Sequence, residues 1–149
     1  MIMIKAEVKD LSHLVAMIKE TELYTCYFLD KDLNKIVEQA LHKEEVEILV
    51  VDTIIVGRLW SDPYGTFNKY PYLHMLVVSN QHRHKGYASY MLEYFESVLN
   101  PEADKYFLMV AEWNKAIALY ENKGYKMVSK LPSFYKSSVD EFLMMKVVD

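Results

Sequence analysis

One junction decides the fold of this chain, and it reads Val78-Ser79-Asn80-Gln81-His82-Arg83-His84-Lys85-Gly86-Tyr87-Ala88. Gly86 and Ala88 are small, so a ligand could approach the backbone closely there. Free N–H groups at the start of the following helix would favour an anion. Arg83 and Lys85 add positive charge, and the junction contains no acid. These residues predict a phosphate or pyrophosphate site, although a solvated basic turn that merely begins a helix explains them equally well.

The segments on either side of the junction predict a β-α-β unit. Residues 72–78 form a nearly unbroken apolar run, as in a strand covered on both faces, and His74 is its one polar side chain. A helical pattern follows the junction and stops before Pro101. Residues 106–111 read as a second buried strand. We expect the two strands to be parallel and the crossover to be right-handed.

The rest of the chain predicts a mixed α/β domain with the element order β-α-α-β-β-β-α-β-α-β-β. Asp10 is the predicted N-cap of the first helix, and Gly124 ends the last one. Two loops are expected, one over residues 61–71 and one through Pro132, Phe134 and Tyr135. The remaining predicted strands are residues 2–8, 46–51, 54–60, 125–130 and 142–148, and the remaining helices are residues 10–20, 32–43 and 114–123.

Composition narrows the class of protein. The chain has 149 residues, of which 52% are apolar and 26% charged, with a net charge of -4. These values indicate one globular domain over residues 1–149, with no membrane span, and the acidic balance argues against a nucleic-acid partner. The only cysteine, Cys26, excludes an internal disulfide and favours a cytoplasmic protein. His82 and His84 lack a Cys or acidic partner nearby in sequence, so we predict no metal site.

Two blocks of the chain resemble motifs of the GCN5-related N-acetyltransferases (GNAT). Arg83-His84-Lys85-Gly86-Tyr87-Ala88 matches the family's [RQ]-x-x-G-x-[GA] motif. The block from Asn114 to Tyr125 resembles the family's N-x-x-A-x-x-x-Y-x-x-x-G-[FY] block. The resemblance implies the GNAT-like acyl-CoA N-acyltransferase fold, a mixed and mostly antiparallel sheet flanked by helices. It also implies acetyl-CoA as cosubstrate and direct attack by a primary amine in a ternary complex.

The resemblance also implies which residues bind acetyl-CoA. Backbone N–H groups around the pyrophosphate would come from Arg83, His84, Lys85, Gly86, Tyr87, Ala88 and Ser89. Strand residues Leu76, Val77 and Val78 would pair with the pantetheine amides. The Val78 N–H would lie near the thioester carbonyl, where it could stabilise the oxyanion that forms during attack. Asn114 would reach the pantetheine arm.

Three residues are candidates for proton transfer. Tyr120 matches the family tyrosine that protonates the departing thiolate, although it could instead be a core aromatic. The attacking amine needs a base, and Tyr72 falls where some members carry a glutamate. His74 is similar to a strand histidine of the aralkylamine acetyltransferases, and its ordinary pKa near 6.5 suits a base, but a structural role is equally expected. Glu112 is the other candidate base, with a surface carboxylate as the favoured alternative.

The acceptor pocket is expected to be aromatic. Tyr24, Tyr27 and Phe28 fall in the family's first inter-helix loop, and Tyr135 falls in its last loop, while Tyr72 shares a strand face with His74. Core packing explains the first three at least as well. We predict a small-molecule amine substrate. A non-catalytic acyl-CoA sensor and a protein N-terminal or lysine acetyltransferase stay open as alternatives, and the frequent dimers among relatives allow a homodimer.

Overall fold

Seven strands and four helices follow one another in the predicted order. The computed structural model describes residues 1–148. The strands are β1 (Ile2–Lys5), β2 (Val46–Val51), β3 (Ile54–Thr66), β4 (Tyr70–Val78), β5 (Lys105–Ala111), β6 (Lys126–Lys136) and β7 (Val139–Val147). The helices are α1 (Leu11–Lys19), α2 (Leu33–His42), α3 (Tyr87–Ser97) and α4 (Ile117–Asn122). None of the helices within residues 1–148 has the length and apolar character needed to cross a membrane.

The sheet is mixed and mostly antiparallel, as the sequence predicts. Its strands are hydrogen-bonded neighbours in the order β1-β2-β3-β4-β5-β7-β6. Strand β4 runs parallel to β5, whereas the pairs β1–β2, β2–β3, β5–β7 and β6–β7 are antiparallel. The chain divides into two compact units. The first unit comprises Met1–Ser61 and Met75–Phe95, and the second comprises Asp62–His74 and the residues from Glu96 onward.

Helices α1 and α2 build the core of the first unit together with β2. Their apolar side chains recur at helical spacing and form one buried face. Helix α2 is capped by Asp32, whose carboxylate accepts from the Lys35 N–H at 3.1 Å. Asp10 is the N-cap residue of α1, as predicted, but its carboxylate makes no capping bond to that helix and instead accepts from the Glu7 N–H at 2.8 Å within the preceding 3-10 turn. Buried members of this core include Leu14, Ile18, Val37, Leu41, Val46 and Ile48.

Strand β4 has one buried face and one partly open face. Pro71, Leu73, Met75 and Val77 are buried, whereas Tyr72, Leu76 and Val78 are half-buried and His74 is exposed. The expectation of a strand covered on both faces is therefore wrong. Side chains of a strand alternate between its faces, and large residues such as Tyr72 can be apolar in composition without being enclosed. The open face is the one that carries the predicted site residues.

Both predicted loops are strand hairpins instead. In place of a loop over residues 61–71, β3 continues to Thr66 and β4 begins at Tyr70. Between them, Phe67 and Asn68 have φ values of 53° and 58°, the left-handed conformation of a tight hairpin turn. Proline in this region suggested a break, but Pro63 is accommodated within β3.

The second predicted loop, through Pro132, Phe134 and Tyr135, belongs to β6. That strand stands at the end of the strand order. A proline lacks an N–H group, and an edge strand tolerates this loss because the outer side makes no ladder. The pairing of β6 with β7 shifts register between Leu131 and Lys136, so this stretch is extended but irregular.

At Gly57, β3 and α3 approach each other closely in the first unit. A Cβ atom built on Gly57 would lie 2.7 Å from Met91 Cε, 2.9 Å from Met91 Sδ and 3.2 Å from the Val77 carbonyl oxygen. Met91 is fully buried. The absence of a side chain at Gly57 therefore permits the packing of α3 on the sheet of this unit.

We expect Gly57→Val to destabilise the protein by about 1–3 kcal/mol, the usual cost of overpacking a core. The branched side chain would displace Met91 and press on the backbone of β4. Urea unfolding measures this loss directly. Ile54→Val, at an exposed position of the same strand, is the control and should stay within about 0.5 kcal/mol of the wild type. Equal stability of the valine variant and the wild type would contradict the packing described here.

Candidate active site

The predicted anion-binding junction folds back on the end of β4 in the first unit. Asn80–His82 form a 3-10 turn. The Ser79 hydroxyl and the His82 Nδ1 atom are hydrogen-bonded at 2.7 Å. Arg83 Nε donates to the Val78 carbonyl at 3.3 Å. These contacts hold the turn at the end of the strand, so the basic segment begins from a fixed position.

The backbone of the junction has the conformation that an anion site needs. His84 and Gly86 have φ values of 64° and 82°, in the left-handed region. Helix α3 begins at Tyr87, and the Tyr90 N–H donates to the Gly86 carbonyl at 3.1 Å. The N–H groups of the first helical residues have no carbonyl within the helix to bond. A helix start of this kind, with its dipole pointing outward, attracts phosphate.

Space and charge at the junction fit a pyrophosphate. A Cβ atom built on Gly86 would meet no heavy atom within 4 Å, so the backbone is open to a ligand. Arg83, His84 and Lys85 are exposed, and the positive charges of Arg83 and Lys85 are accessible to an anion from solution. Tyr87, Ala88 and Ser89 are half-buried in the first turn of α3. This arrangement can bind a phosphorylated ligand mainly through backbone N–H groups.

The adjoining residues of β4 differ in what they can offer to a ligand. Val77 is 4% exposed and its side chain belongs to the core, so its backbone alone could contact a ligand. Leu76 and Val78 lie on the other face and pack against the buried cluster that contains Met91. In the second unit, the parallel register of β4 with β5 consists of the pairs Tyr72–Phe107 and Leu73–Leu108.

Tyr120 is a buried side chain of α4 in the second unit. It is 7% exposed, and its ring lies 6.0 Å from that of Tyr125, nearly edge to face. Burial raises the pKa of the Tyr120 hydroxyl to about 12. The hydroxyl is therefore protonated at neutral pH and can act as a proton donor. The burial of Tyr120 fits a core aromatic, and its protonated hydroxyl is what a proton donor requires, so the two interpretations are compatible in one side chain.

Asn114 organises the start of the α4 segment. Its side-chain oxygen accepts from the Ala116 N–H at 2.9 Å, and its own N–H donates to the Ala111 carbonyl at 3.0 Å. Helix α4 begins only at Ile117, later than the predicted residue 114, because this turn takes up the first residues. The spacing from Asn114 to Tyr120 is six positions, whereas the asparagine and the tyrosine of the family block are seven positions apart.

The two candidate bases have different surroundings in the second unit. His74 is exposed, and its ring lies 4.8 Å from the Tyr72 ring at an interplanar angle of 84°. Glu112 is also exposed, and its carboxylate accepts from the Asp140 N–H at 3.5 Å. His74 can therefore exchange protons with solvent beside an aromatic ring. Glu112 is directed at the backbone of β7.

Tyr72 and Tyr135 form a hydrogen-bonded pair close to a buried carboxylate. Burial raises the pKa of Tyr72, and the neighbouring Tyr135 and the charge of Glu141 raise it further. Burial also raises the pKa of Tyr135, and Glu141 adds to this although the bond to Tyr72 opposes it. Glu141 is 3% exposed. The second unit thus brings Tyr72, His74 and Tyr135 together with Glu141.

Glu141 was not among the site residues predicted from the sequence. The predicted last strand began at Phe142, one residue after Glu141, so Glu141 was assigned to the end of a loop. Strand β7 in fact begins at Val139 and pairs Glu141 with Ala111 of β5 and Leu131 of β6. An acidic residue in a presumed loop gives no signal of burial. Only the correct strand boundary would have placed it between two neighbouring strands.

The aromatic residues between α1 and α2 form a π-helical turn, Tyr24–Phe28, in the first unit. Tyr24, Tyr27 and Phe28 are half-buried. Tyr24 and Phe28 pack against the core under α1 and α2, as the packing alternative expected. The Lys19 Nζ atom lies 5.9 Å from the Tyr24 ring centroid, a distance typical of a cation–π contact. Within residues 1–148, no group of three or more His, Cys, Asp or Glu side chains could hold a metal ion.

Comparison with protein families gives a match over most of the chain. The matching family model is described as an acetyltransferase (GNAT) domain and covers residues 17–147. Its range includes the β4–α3 junction and the Asn114–Tyr125 block, which carried the resemblance in the sequence. Among curated protein sequences, none matches this chain significantly.

Solved structures with the same fold are distant in sequence. A GNAT-family acetyltransferase from Bacillus cereus is 19% identical, with a TM-score of 0.77, and covers 99% of this chain and 97% of its own. The ribosomal-protein-alanine N-acetyltransferase from Brucella melitensis is 18% identical, with a TM-score of 0.80, and the match covers 99% of this chain and 100% of that protein. The yncA protein from Salmonella typhimurium, solved with its cofactor acetyl-CoA, is 14% identical, with a TM-score of 0.77. The match covers 100% of this chain and 94% of that protein. These likenesses confirm the predicted GNAT-like fold.

Proposed function

The chain belongs to the GNAT acetyltransferase family and is an acetyl-CoA-dependent acetyltransferase, and from this premise we propose that it acetylates a primary amine of a small molecule by direct attack in a ternary complex. The observation that carries the proposal is the β4–α3 junction. Its open backbone at Gly86, its left-handed φ of 82° and its exposed basic side chains fit a pyrophosphate. We further propose that residues 1–149 act as one cytoplasmic domain, which the family match across both units supports.

Binding of acetyl-CoA is assigned to the following residues of this chain. The N–H groups from Arg83 to Ser89 bind the pyrophosphate, while Arg83 and Lys85 supply formal charge. The backbone of Leu76, Val77 and Val78 bonds the pantetheine arm, and the Val78 N–H stabilises the oxyanion. Asn114 adds a contact to the same arm through the amide nitrogen, since its side-chain oxygen already accepts from Ala116.

The proposed chemistry requires three proton transfers. An alkylamine is mostly ammonium at neutral pH, so the nucleophile must first lose a proton. His74 takes this proton in our proposal because it is exposed beside Tyr72 and can pass the proton to solvent. Attack forms the C–N bond, and collapse of the tetrahedral intermediate breaks the C–S bond while Tyr120 donates its proton to the departing thiolate. The nitrogen then gives up its second proton, which restores the Tyr120 hydroxyl directly or through water, and the products are the neutral amide and CoA thiol. A raised pKa of about 12 keeps Tyr120 protonated for that step.

Aromatic side chains support an acceptor with an apolar body. In the first unit, Tyr24, Tyr27 and Phe28 offer partly exposed ring surface. In the second unit, Tyr72 is half-buried and Tyr135 is 62% exposed. Rings of this kind suit a small amine that carries an alkyl or aryl group. A protein N-terminus is the competing acceptor, since one of the similar structures is a ribosomal-protein-alanine N-acetyltransferase.

We expect calorimetric titration to detect acetyl-CoA binding at micromolar to millimolar concentration. A thiol-detection assay with alkylamines, arylalkylamines, aminosugars and peptides then identifies the acceptor class. The matched control is the N,N-dimethyl derivative of the best amine, whose free base has no N–H to lose after attack, so it cannot form an amide and should release no CoA. The proposal fails if acetyl-CoA does not bind. It also fails in its choice of acceptor if peptides react and every small amine is inert.

A further inference from the structure

We propose that Arg58 binds a carboxylate of the acceptor, so that the enzyme acetylates amines that also carry a carboxylate, such as amino acids with apolar side chains. This inference rests on the proposed function and narrows its substrate class. Three features of the first unit support it. The buried guanidinium of Arg58 has no partner, its side chain lies between the sheet and helices α1 and α2, and the rings proposed to contact the acceptor pack on the same layer.

The Arg58 side chain is buried without a hydrogen-bond partner. It is 0% exposed, and within residues 1–148 none of its Nε, Nη1 and Nη2 atoms has a partner. Burial lowers the pKa of Arg58 to about 10, so the guanidinium is still charged at pH 7. An unpaired buried charge is costly. A bound anion would remove this cost, and the planar fork of arginine N–H groups matches a carboxylate with two parallel hydrogen bonds.

Strand pairing places the Arg58 side chain on the face of the sheet that α1 and α2 cover. Arg58 lies opposite Ile48 of β2, and opposed residues of an antiparallel pair have their side chains on the same face. Ile48 belongs to the core that those helices build. Glu47, the acidic residue of β2, lies on the other face and forms an ion pair with Lys5 at 2.9 Å. Glu47 therefore does not compensate the charge of Arg58.

On its other side, Arg58 adjoins the part of β4 that is proposed to bind the pantetheine arm. The Ser79 N–H donates to the Val56 carbonyl at 2.9 Å. Because β3 and β4 form a hairpin and run in opposite directions, this bond brings Arg58 level with Val77. Val77 belongs to the same core as Ile48. The charge of Arg58 therefore lies one strand away from residues proposed for acetyl-CoA, within reach of an acceptor bound beside the cofactor.

The π-helical turn between α1 and α2 borders this layer. Tyr24 and Phe28 pack against the core that contains Ile48 and Val77, yet both rings are only half-buried. None of the five residues in this turn is fully buried. Turns of this kind occur frequently at functional sites. A shift of the turn would open a path from solvent to Arg58 and leave the two rings beside the apolar part of the acceptor.

The first test compares leucine and phenylalanine with their amides, in which an uncharged group replaces the carboxylate. We expect the wild type to favour the acids at least about tenfold in kcat/KM, equivalent to about 1.4 kcal/mol. Arg58→Met should remove this preference and keep the Kd of acetyl-CoA. Lys35→Met, which removes a positive charge from an exposed position of α2, is the matched control and should keep the preference. Equal rates for acids and amides, or acetylation only of amines that lack a carboxylate, would overturn the inference.

Unfolding of the same variant separates binding from a purely structural role. Methionine fills a similar space and has no charge to bury, so Arg58→Met should unfold at the same or a higher urea concentration than the wild type. An arginine that serves only the fold would have compensating partners in the native protein. Unfolding of the variant at a markedly lower urea concentration would therefore contradict the proposed role.

A third measurement needs no turnover. N-acetylleucine and N-acetylleucinamide differ in the carboxylate and contain no free amine. We expect calorimetry to show at least about tenfold tighter binding of N-acetylleucine to the wild type, and no such difference in Arg58→Met. Equal binding of the two, or binding of sodium acetate as tight as that of N-acetylleucine, would refute the acceptor site even if acetyl transfer is active. Preferential binding of N-acetylleucine without acetylation of any amine would refute the proposed reaction and leave the carboxylate site standing.

Discussion

Gly86→Glu is expected to weaken acetyl-CoA binding at least about hundredfold. Gly86 has a φ of 82°, and an L residue in a left-handed conformation costs roughly 1–2 kcal/mol. A glutamate would add a negative charge where the N–H groups of α3 attract the pyrophosphate. Isothermal calorimetry with acetyl-CoA measures the change in Kd. The effect is large because conformation and charge act in the same direction.

Gly86→Ala separates the two causes. A Cβ atom at Gly86 meets no neighbour within 4 Å, so alanine introduces conformational strain without a collision. We expect an intermediate loss of about tenfold, corresponding to about 1.4 kcal/mol. Gly124→Ala is the matched control, since Gly124 also has a left-handed φ, 96°, and lies at the end of α4. That variant should lose stability and keep its Kd. Unchanged affinity in both Gly86 variants would mean that the cofactor binds elsewhere.

Tyr120→Phe is expected to lower kcat about hundredfold, the lower end of what a general acid contributes. A thiol such as that of CoA has a pKa near 8.5, so its thiolate departs more readily when a hydroxyl donates a proton. Phenylalanine keeps the ring that packs 6.0 Å from Tyr125. Steady-state kinetics should therefore show a loss in kcat with an unchanged Kd for acetyl-CoA.

Tyr125→Phe distinguishes catalysis from packing. The Tyr125 hydroxyl donates to the Glu96 carboxylate at 3.1 Å, and the residue is 1% exposed. Loss of this hydroxyl should lower the free energy of unfolding by about 1–3 kcal/mol. We expect kcat to stay within a factor of about three of the wild-type value. Burial raises the pKa of Tyr120 to about 12. At any pH below about 10, ionisation of this residue should therefore cause no loss of activity. If Tyr120→Phe turns over at the wild-type rate, another group or water protonates the thiolate.

Local sequence signals predicted the strand-to-helix junction on which the proposed cofactor site is based. The β4–α3 junction is continuous in sequence, and its glycine, basic residues and helix start act on one another over a few positions. The parallel pairing of β4 with β5 also followed from the strand–helix–strand pattern, and the pairs Tyr72–Phe107 and Leu73–Leu108 confirm it.

The structure around the residues proposed for the acceptor was harder to predict, because it depends on pairing between strands that are distant in sequence. Pro132 suggested a loop, yet an edge strand accepts it, and this extends β6 through Tyr135. The same hairpin moves Glu141 into the interior, where no local pattern marked it. The open face of β4 was also missed, since composition alone cannot distinguish a half-buried tyrosine from an enclosed one.

Transfer of a labelled acetyl group tests the central claim most directly. The protein is incubated with acetyl-CoA carrying a heavy isotope in the acetyl carbons, together with the best alkylamine, and the products are followed by mass spectrometry. The account predicts that an amide carrying the label forms at the same rate as CoA, and that Tyr120→Phe slows both equally. Release of CoA without labelled amide, at a rate independent of the amine, would contradict it.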